Sequence, residues 1–364
     1  MMNILDFTIE ELETFFIELG EPKFRARQVF DWIYKGVDSF GDMRNIPSSL
    51  KEKLATKAEI SLPEVLEMQV SKSDGTRKFL FGLSDGNAIE SVFMKYRYGN
   101  SICVSSQAGC RMGCKFCAST RNGLSRNLTA GEIIGQILAV EKVLRNEGAK
   151  ESKGSEVSKV LKVTADPKDW RIGHVVVMGT GEPFDNYQNL SQFLRIVHDP
   201  KGLNISNRNI TVSTCGIIPM MARFGEDFPQ VNLAISLHGA TDDVRSSMMP
   251  INNKYPISEV IKAAKRYTEK TSRRITFEYT IVNGVNDSDM DAKRLSELLS
   301  GMLCHVNVIP LNRVNESGFD TVSRKRAEEF VKLLEKHGII ATVRRELGAD
   351  IDAACGQLRL KAVT

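Results

Sequence analysis

No stretch of this 364-residue chain reaches the roughly 18 consecutive apolar residues of a membrane-crossing helix. The opening run, MMNILDFTIEELETFF, lacks the basic segment and small-residue cleavage site of a secretory signal. The expectation is a cytoplasmic protein with no membrane partner. Cysteine is scarce: there are seven, an odd number, three of them in one short run, which is not a secreted disulfide framework. Neither sign of charge dominates, since 49 Lys and Arg against 45 Asp and Glu leave +4. That permits a nucleic-acid partner without requiring one. Length gives room for two or three domains.

The three clustered cysteines carry most of the information. Cys110, Cys114 and Cys117 stand in AGCRMGCKFCAS, spaced C-x3-C-x2-C. Thiolates this close share a metal centre, and cysteine thiolates are the usual ligands of iron–sulfur clusters. A closed zinc site wants a fourth Cys or His, and within a dozen residues only Cys103 is available. Three ligands on a four-iron cluster leave one iron open to a ligand. The spacing resembles that of the radical S-adenosylmethionine enzymes. A zinc knuckle or a set of buried thiols is the alternative.

Along the chain, residues 1–62 read as a helical accessory domain, with apolar residues at helical spacing over Leu5–Leu19 and Phe24–Tyr34. Arg25, Arg27 and Lys35 are interleaved there, which suits either a solvated face or RNA phosphates. Residues 63–98 change to a period of two, with turn signals at Ser73-Asp74-Gly75 and Ser84-Asp85-Gly86, and read as a β linker. Over 99–346, strands at Ile102–Ser106, His174–Gly179, Asn209–Cys215, Val231–His238, Arg274–Val282 and His305–Leu311 alternate with helices such as Ala130–Arg145. A last strand, Ile339–Arg344, follows. The fold class is α/β: a parallel sheet with crossover helices. Six units are too few for a closed eight-fold barrel. A partial (β/α)6 barrel fits, and the resemblance implies the same. Residues 146–172, charged and lysine-rich, read as a surface insertion with a short hairpin around Val160–Val163. The segment 347–364 stands apart at the C-terminus.

In such barrels functional groups gather at the C-terminal ends of the strands. The cysteine loop follows the first strand. The second ends in Gly179-Thr180-Gly181-Glu182-Pro183, where glycine admits close backbone approach and the carboxylate can meet an ammonium. Ser213, Ser236 with His238, and Asn312 finish later strands at the same rim, as a polar ligand pocket requires.

The runs SSQAGCRMGCKFC (Ser105 to Cys117), NLTAGEIIGQI, GTGEP, AISLH, MPINNKYP, VNDS and DIDAACGQL together resemble the RlmN/Cfr family across essentially the whole chain outside 146–172. The resemblance implies a radical S-adenosylmethionine methyltransferase acting on an adenosine carbon of large-subunit ribosomal RNA and of some transfer RNAs. It implies a 4Fe–4S cluster on Cys110, Cys114 and Cys117. It implies S-adenosylmethionine, two per turnover, on Gly181, Glu182, Ser213, Ser236, Leu237, His238 and Asn312. Cys355 would be methylated by one cofactor molecule, and a radical from the second would activate that methyl for addition to adenine. Glu90 would remove the ring proton. Cys103 would attack the Cys355 sulfur, forming a disulfide and releasing the product. A flavodoxin-type electron donor and a monomer are further implications. The segments Ser73–Lys78 and Asn87–Val92 and the run Cys117-Ala118-Ser119-Thr120 resemble the carbon-2, or RlmN, branch. Carbon-8 methylation of the Cfr type and a non-RNA substrate are the alternatives.

Overall fold

A computed structural model describes residues 1–151, 166–312, 318–351 and 353. The predicted hairpin around Val160–Val163 and the position of Cys355 lie outside these residues. Ten strands form one sheet: β1 (Glu64–Val70), β2 (Arg77–Gly82), β3 (Ala88–Tyr96), β4 (Gly99–Cys103), β5 (Ile172–Val177), β6 (Ile210–Thr214), β7 (Asn232–Ser236), β8 (Ile275–Ile281), β9 (Cys304–Pro310) and β10 (Ala341–Val343). Their order in space is their order in the chain. From β4 to β10 all neighbours are parallel; β1 to β4 are antiparallel. The segment read as a linker therefore continues the barrel sheet through hydrogen bonds.

Strand β8, ITFEYTI, shows how the sheet sorts side chains. Ile275, Phe277, Tyr279 and Ile281 are fully buried in the main apolar core, while Thr276, Glu278 and Thr280 take the other face. The apolar face is covered by helices, including α1 (Ile9–Glu18), α2 (Lys23–Tyr34), α3 (Ser48–Lys57), α4 (Ala130–Glu151) and α5 (Tyr187–His198). The N-terminal helices share that core through Leu12, Phe16, Phe30 and Leu54. Asp6 accepts from the Gly131 N–H at 2.6 Å, and Arg145 donates to the carbonyls of Lys35 and Gly36 at 3.0 Å each.

Helix α4 begins at a capping box: the Thr129 N–H donates to Glu132 Oε2 at 2.9 Å and the Glu132 N–H to Thr129 Oγ1 at 3.2 Å. It ends at Glu151, beyond the predicted Arg145, so the stretch read as an insertion from residue 146 opens inside a helix. Tertiary contacts carry the helix past its apolar pattern, among them a 2.6 Å ion pair from Glu147 to the buried Arg77. Strand β4 differs from its prediction, ending at Cys103 instead of Ser106. There the chain leaves the sheet: the Ser105 N–H donates to Gln136 Oε1 at 2.8 Å and Ser105 Oγ to the Glu90 carbonyl at 2.6 Å. Residues Gln107–Gly109 pair instead with Leu124–Asn127.

Candidate active site

A cavity of about 160 Å³ opens at the C-terminal ends of the parallel strands. Its wall brings together residues far apart in the chain: Cys110, Cys114 and Cys117 from the loop after β4, Gly181 and Glu182 after β5, Ser213 in β6, Ser236 and His238 at β7, and Asn312 after β9. Leu237 is the exception among the expected ligand contacts. Its side chain is fully buried in the main apolar core.

The cysteine loop is shaped by its turn. Gly109 has φ +79°, and a Cβ there would sit 2.1 Å from the Gly123 carbonyl oxygen, so only glycine fits. The Cys110 N–H donates to that same carbonyl at 2.9 Å. Thr120 Oγ1 donates to the carbonyls of Cys114 and Cys117, at 3.3 and 3.1 Å. Burial pushes the Cys110 thiol up to about 12 and the Cys114 thiol well above its ordinary value; the neighbouring Cys117 and Glu182 add to both. Such thiols ionise only against a bound cation, as metal ligands do. Among the described residues, no three His, Cys, Asp or Glu side chains converge on a point that one metal ion could occupy. All three thiols line one cavity, which suits a cluster, where each iron takes its own thiolate. The residues present fit a three-cysteine cluster better than a zinc knuckle.

Glu182 is buried, and desolvation pushes its carboxyl up against two backbone donors. Oε2 accepts from the Cys215 N–H at 2.8 Å and Oε1 from the Phe184 N–H at 3.0 Å. The carboxylate thus ties the loop after β5 to the end of β6, with lone pairs left for an ammonium. Gly181, at φ +112°, lets this loop pass the Gln107 side chain, which a Cβ would approach to 2.6 Å.

His238 sits in the left-handed region at φ +55°. Its Nδ1 accepts from the Thr280 N–H at 2.9 Å, so the neutral ring carries its hydrogen on Nε2. Burial pulls the imidazole down to about 3. The Phe116 ring packs edge-on at 4.8 Å. Several wall residues carried no sequence signal. Cys215, which lies outside the expected ligand set, lines the cavity. So do Glu278 and Arg344, whose Oε2 and Nη1 stand 3.6 Å apart. The place of Arg344 on the wall follows from β10 joining the sheet.

Cys103 and Glu90 lie outside this wall, on the adjoining stretch of the same sheet face. Val92 pairs with Cys103 across β3 and β4, and Glu90 lies two residues before Val92. Cys103 is buried among Val92, Met94 and Ala353, with Met178 packed against them. Met178 also lines the cavity, so one side chain borders both places. Glu90 is buried, with Lys78 Nζ 3.8 Å from its Oε1. The segment leading toward Cys355 is docked by two aspartates. Asp74 Oδ2 accepts from the Gly348 N–H at 3.0 Å, and Asp350 Oδ2 accepts from the Lys72 N–H at 2.9 Å.

Family models match twice: Ribosomal RNA large subunit methyltransferase N-terminal domain over residues 2–60, and Radical SAM superfamily over 104–295. A curated Clostridium perfringens (strain SM101 / Type A) protein, "Probable dual-specificity RNA methyltransferase RlmN", is 52% identical over 99% of this chain and 97% of its own length. The chain belongs to the RlmN family of radical S-adenosylmethionine RNA methyltransferases. An RlmN relative from Clostridium tetani is 48% identical over the whole chain and 97% of its own length. The crystal structure of a radical SAM methyltransferase from Sphaerobacter thermophilus superposes with a TM-score of 0.88 at 42% identity, covering 99% of both chains. The RlmN fold accounts for the incomplete barrel, and membership implies the 4Fe–4S cluster and S-adenosylmethionine that the cavity fits. No helix among the described residues is long and apolar enough to cross a membrane.

Proposed function

We propose that the chain methylates carbon-2 of an adenosine in large-subunit ribosomal RNA and in transfer RNA, with Cys355 as the methyl carrier. The supporting observation is the shared Met178 wall, which sets the buried Cys103 beside the cysteine-lined cavity. When bound, the cluster and S-adenosylmethionine supply methyl groups and one-electron chemistry that no side chain provides. The remaining work belongs to residues of the chain. Cys355 accepts a methyl group as a thiolate nucleophile. Glu90 takes the ring proton of the adenine. Cys103, as thiolate, attacks the Cys355 sulfur and frees the product. Gly181, Glu182, Ser213, Ser236, Leu237, His238 and Asn312 would hold S-adenosylmethionine. The target base leaves its stack to reach a buried thiol. A monomer in the cytoplasm, reduced by a flavodoxin-type protein, completes the reading.

The test is mass spectrometry of nucleosides from unmodified ribosomal RNA and transfer RNA treated with the reconstituted enzyme, reductant and S-adenosylmethionine. The expected product is 2-methyladenosine. A product of 8-methyladenosine would move the chain to the Cfr branch. Cofactor cleavage without any methyladenosine would overturn the reading.

A further inference from the structure

Arg245, on the short helix Asp242–Met248, is 0% exposed. Its guanidinium makes three hydrogen bonds, all to neutral oxygens. Nη2 donates to the Cys215 carbonyl at 2.7 Å, and Nη1 to Asn252 Oδ1 at 2.8 Å and to the Tyr255 carbonyl at 3.2 Å. Nε is buried without an acceptor. The nearby carboxylate, Asp242, accepts through Oδ1 from Asn252 Nδ2 and from the Ile257 N–H, both at 2.8 Å. It meets the guanidinium only through Asn252.

A buried charge without a counter-charge costs several kcal/mol. Arginine cannot avoid that cost by losing its proton. Cys215, whose carbonyl Arg245 holds, packs in one apolar cluster with Cys114, and both cysteines line the cavity. Cys114 is one of the three cluster cysteines. A four-iron centre held by three thiolates carries net negative charge, and one more when it is reduced. A fixed positive charge beside it therefore favours the reduced form.

We infer that Arg245 is the buried counter-charge of the cysteine-held cluster, and that it raises the cluster's reduction potential. The inference rests on the cluster reading of Cys110, Cys114 and Cys117. Arg245 acts through space and through the backbone of Cys215; it touches no substrate.

The experiment is a redox titration, followed by electron paramagnetic resonance, of the full-length protein reconstituted anaerobically with iron and sulfide. Arg245→Gln keeps hydrogen-bonding capacity without charge, and Arg245→Lys keeps charge. The Gln variant is expected to titrate at a more negative potential than wild type, with the Lys variant near wild type. A Gln variant carrying a full cluster at the wild-type potential would overturn the inference, as would a melting temperature that falls in both variants with no change in potential. Asp242→Asn gives an independent reading of opposite sign. Removing that negative charge is expected to move the potential upward, and an unchanged value counts against Arg245 even where the Gln variant fails to fold. A wild-type protein that takes up no cluster would instead overturn the cluster reading, and Arg245 with it.

Discussion

Asn286 donates from Nδ2 to the His238 carbonyl at 2.8 Å and holds that residue in its left-handed conformation. The same amide donates to the Thr280 carbonyl at 2.8 Å, while Oδ1 accepts from the Val282 N–H at 2.7 Å. Tyr279 Oη donates to the Asn286 carbonyl at 2.9 Å. A fully buried asparagine thus couples the end of β7 to the end of β8. Asn286→Ala leaves several of these groups unpaired and should cost about 3 kcal/mol of stability. With His238 released, S-adenosylmethionine should bind more weakly. Calorimetric titration and denaturant unfolding check the two effects separately; unchanged cofactor affinity in a folded variant would reduce Asn286 to a structural role.

Gly109→Ala places a methyl group on a backbone carbonyl at a positive φ. The Cys110 turn must move, because neither partner is a flexible side chain. The expected result is loss of most of the iron bound by the reconstituted protein. Gly86→Ala is the control: its φ is also positive, at +84°, but nothing lies within 4 Å. It should keep its iron. Equal iron content in both variants would mean that the turn does not set the cysteine geometry.

Glu141 in α4 is buried, and desolvation raises its carboxyl to about 7, against the Ile172 N–H and Arg171, which pull it down. Between the ordinary carboxylate value and about 7, the folded protein keeps a proton that the unfolded chain has lost. The stabilisation is therefore complete below the ordinary value and disappears as pH rises through about 7. The loss is on the order of 3 kcal/mol. Urea unfolding of metal-free protein across this window should show the decline, and Glu141→Gln should flatten it. A parallel slope in both proteins would assign the pH dependence elsewhere.

Cys355→Ala should abolish RNA methylation and leave reductive cleavage of S-adenosylmethionine intact. Cys103→Ala should trap the protein on its RNA, seen as a shifted band on a denaturing gel. Glu90→Gln should stall one step earlier, as a covalent adduct that keeps its ring proton. Normal turnover by the Cys355 variant would remove the methyl-carrier step from the mechanism.

The barrel was legible because each parallel strand is a short apolar run that ends in polar residues, as β6 and β7 do at Ser213 and Ser236. Periodicity placed the strands but blurred their ends. The β4 boundary depends on Gln136, thirty-one positions from Ser105, capturing its N–H. The cysteine spacing and the glycine loop were readable as chemistry because both are local in sequence. Asn286, Arg245 and Glu278 were not, because a buried polar residue has meaning only through distant partners. Leu237 shows how the side chains of such a run divide between the two faces. A motif groups neighbours in sequence, while a strand end turns alternate side chains to opposite faces.

The chain-order sheet also governs how the protein is made. During synthesis the three cysteines emerge early, and the pairing of Gln107–Gly109 with Leu124–Asn127 can form soon after them. The wall around them is finished only when Arg344 has been translated, more than two hundred residues later. A cluster loaded on the nascent chain would stand open to solvent and oxidant on every side that β6 to β10 later close. The enclosure is therefore complete only once the last strand is in place.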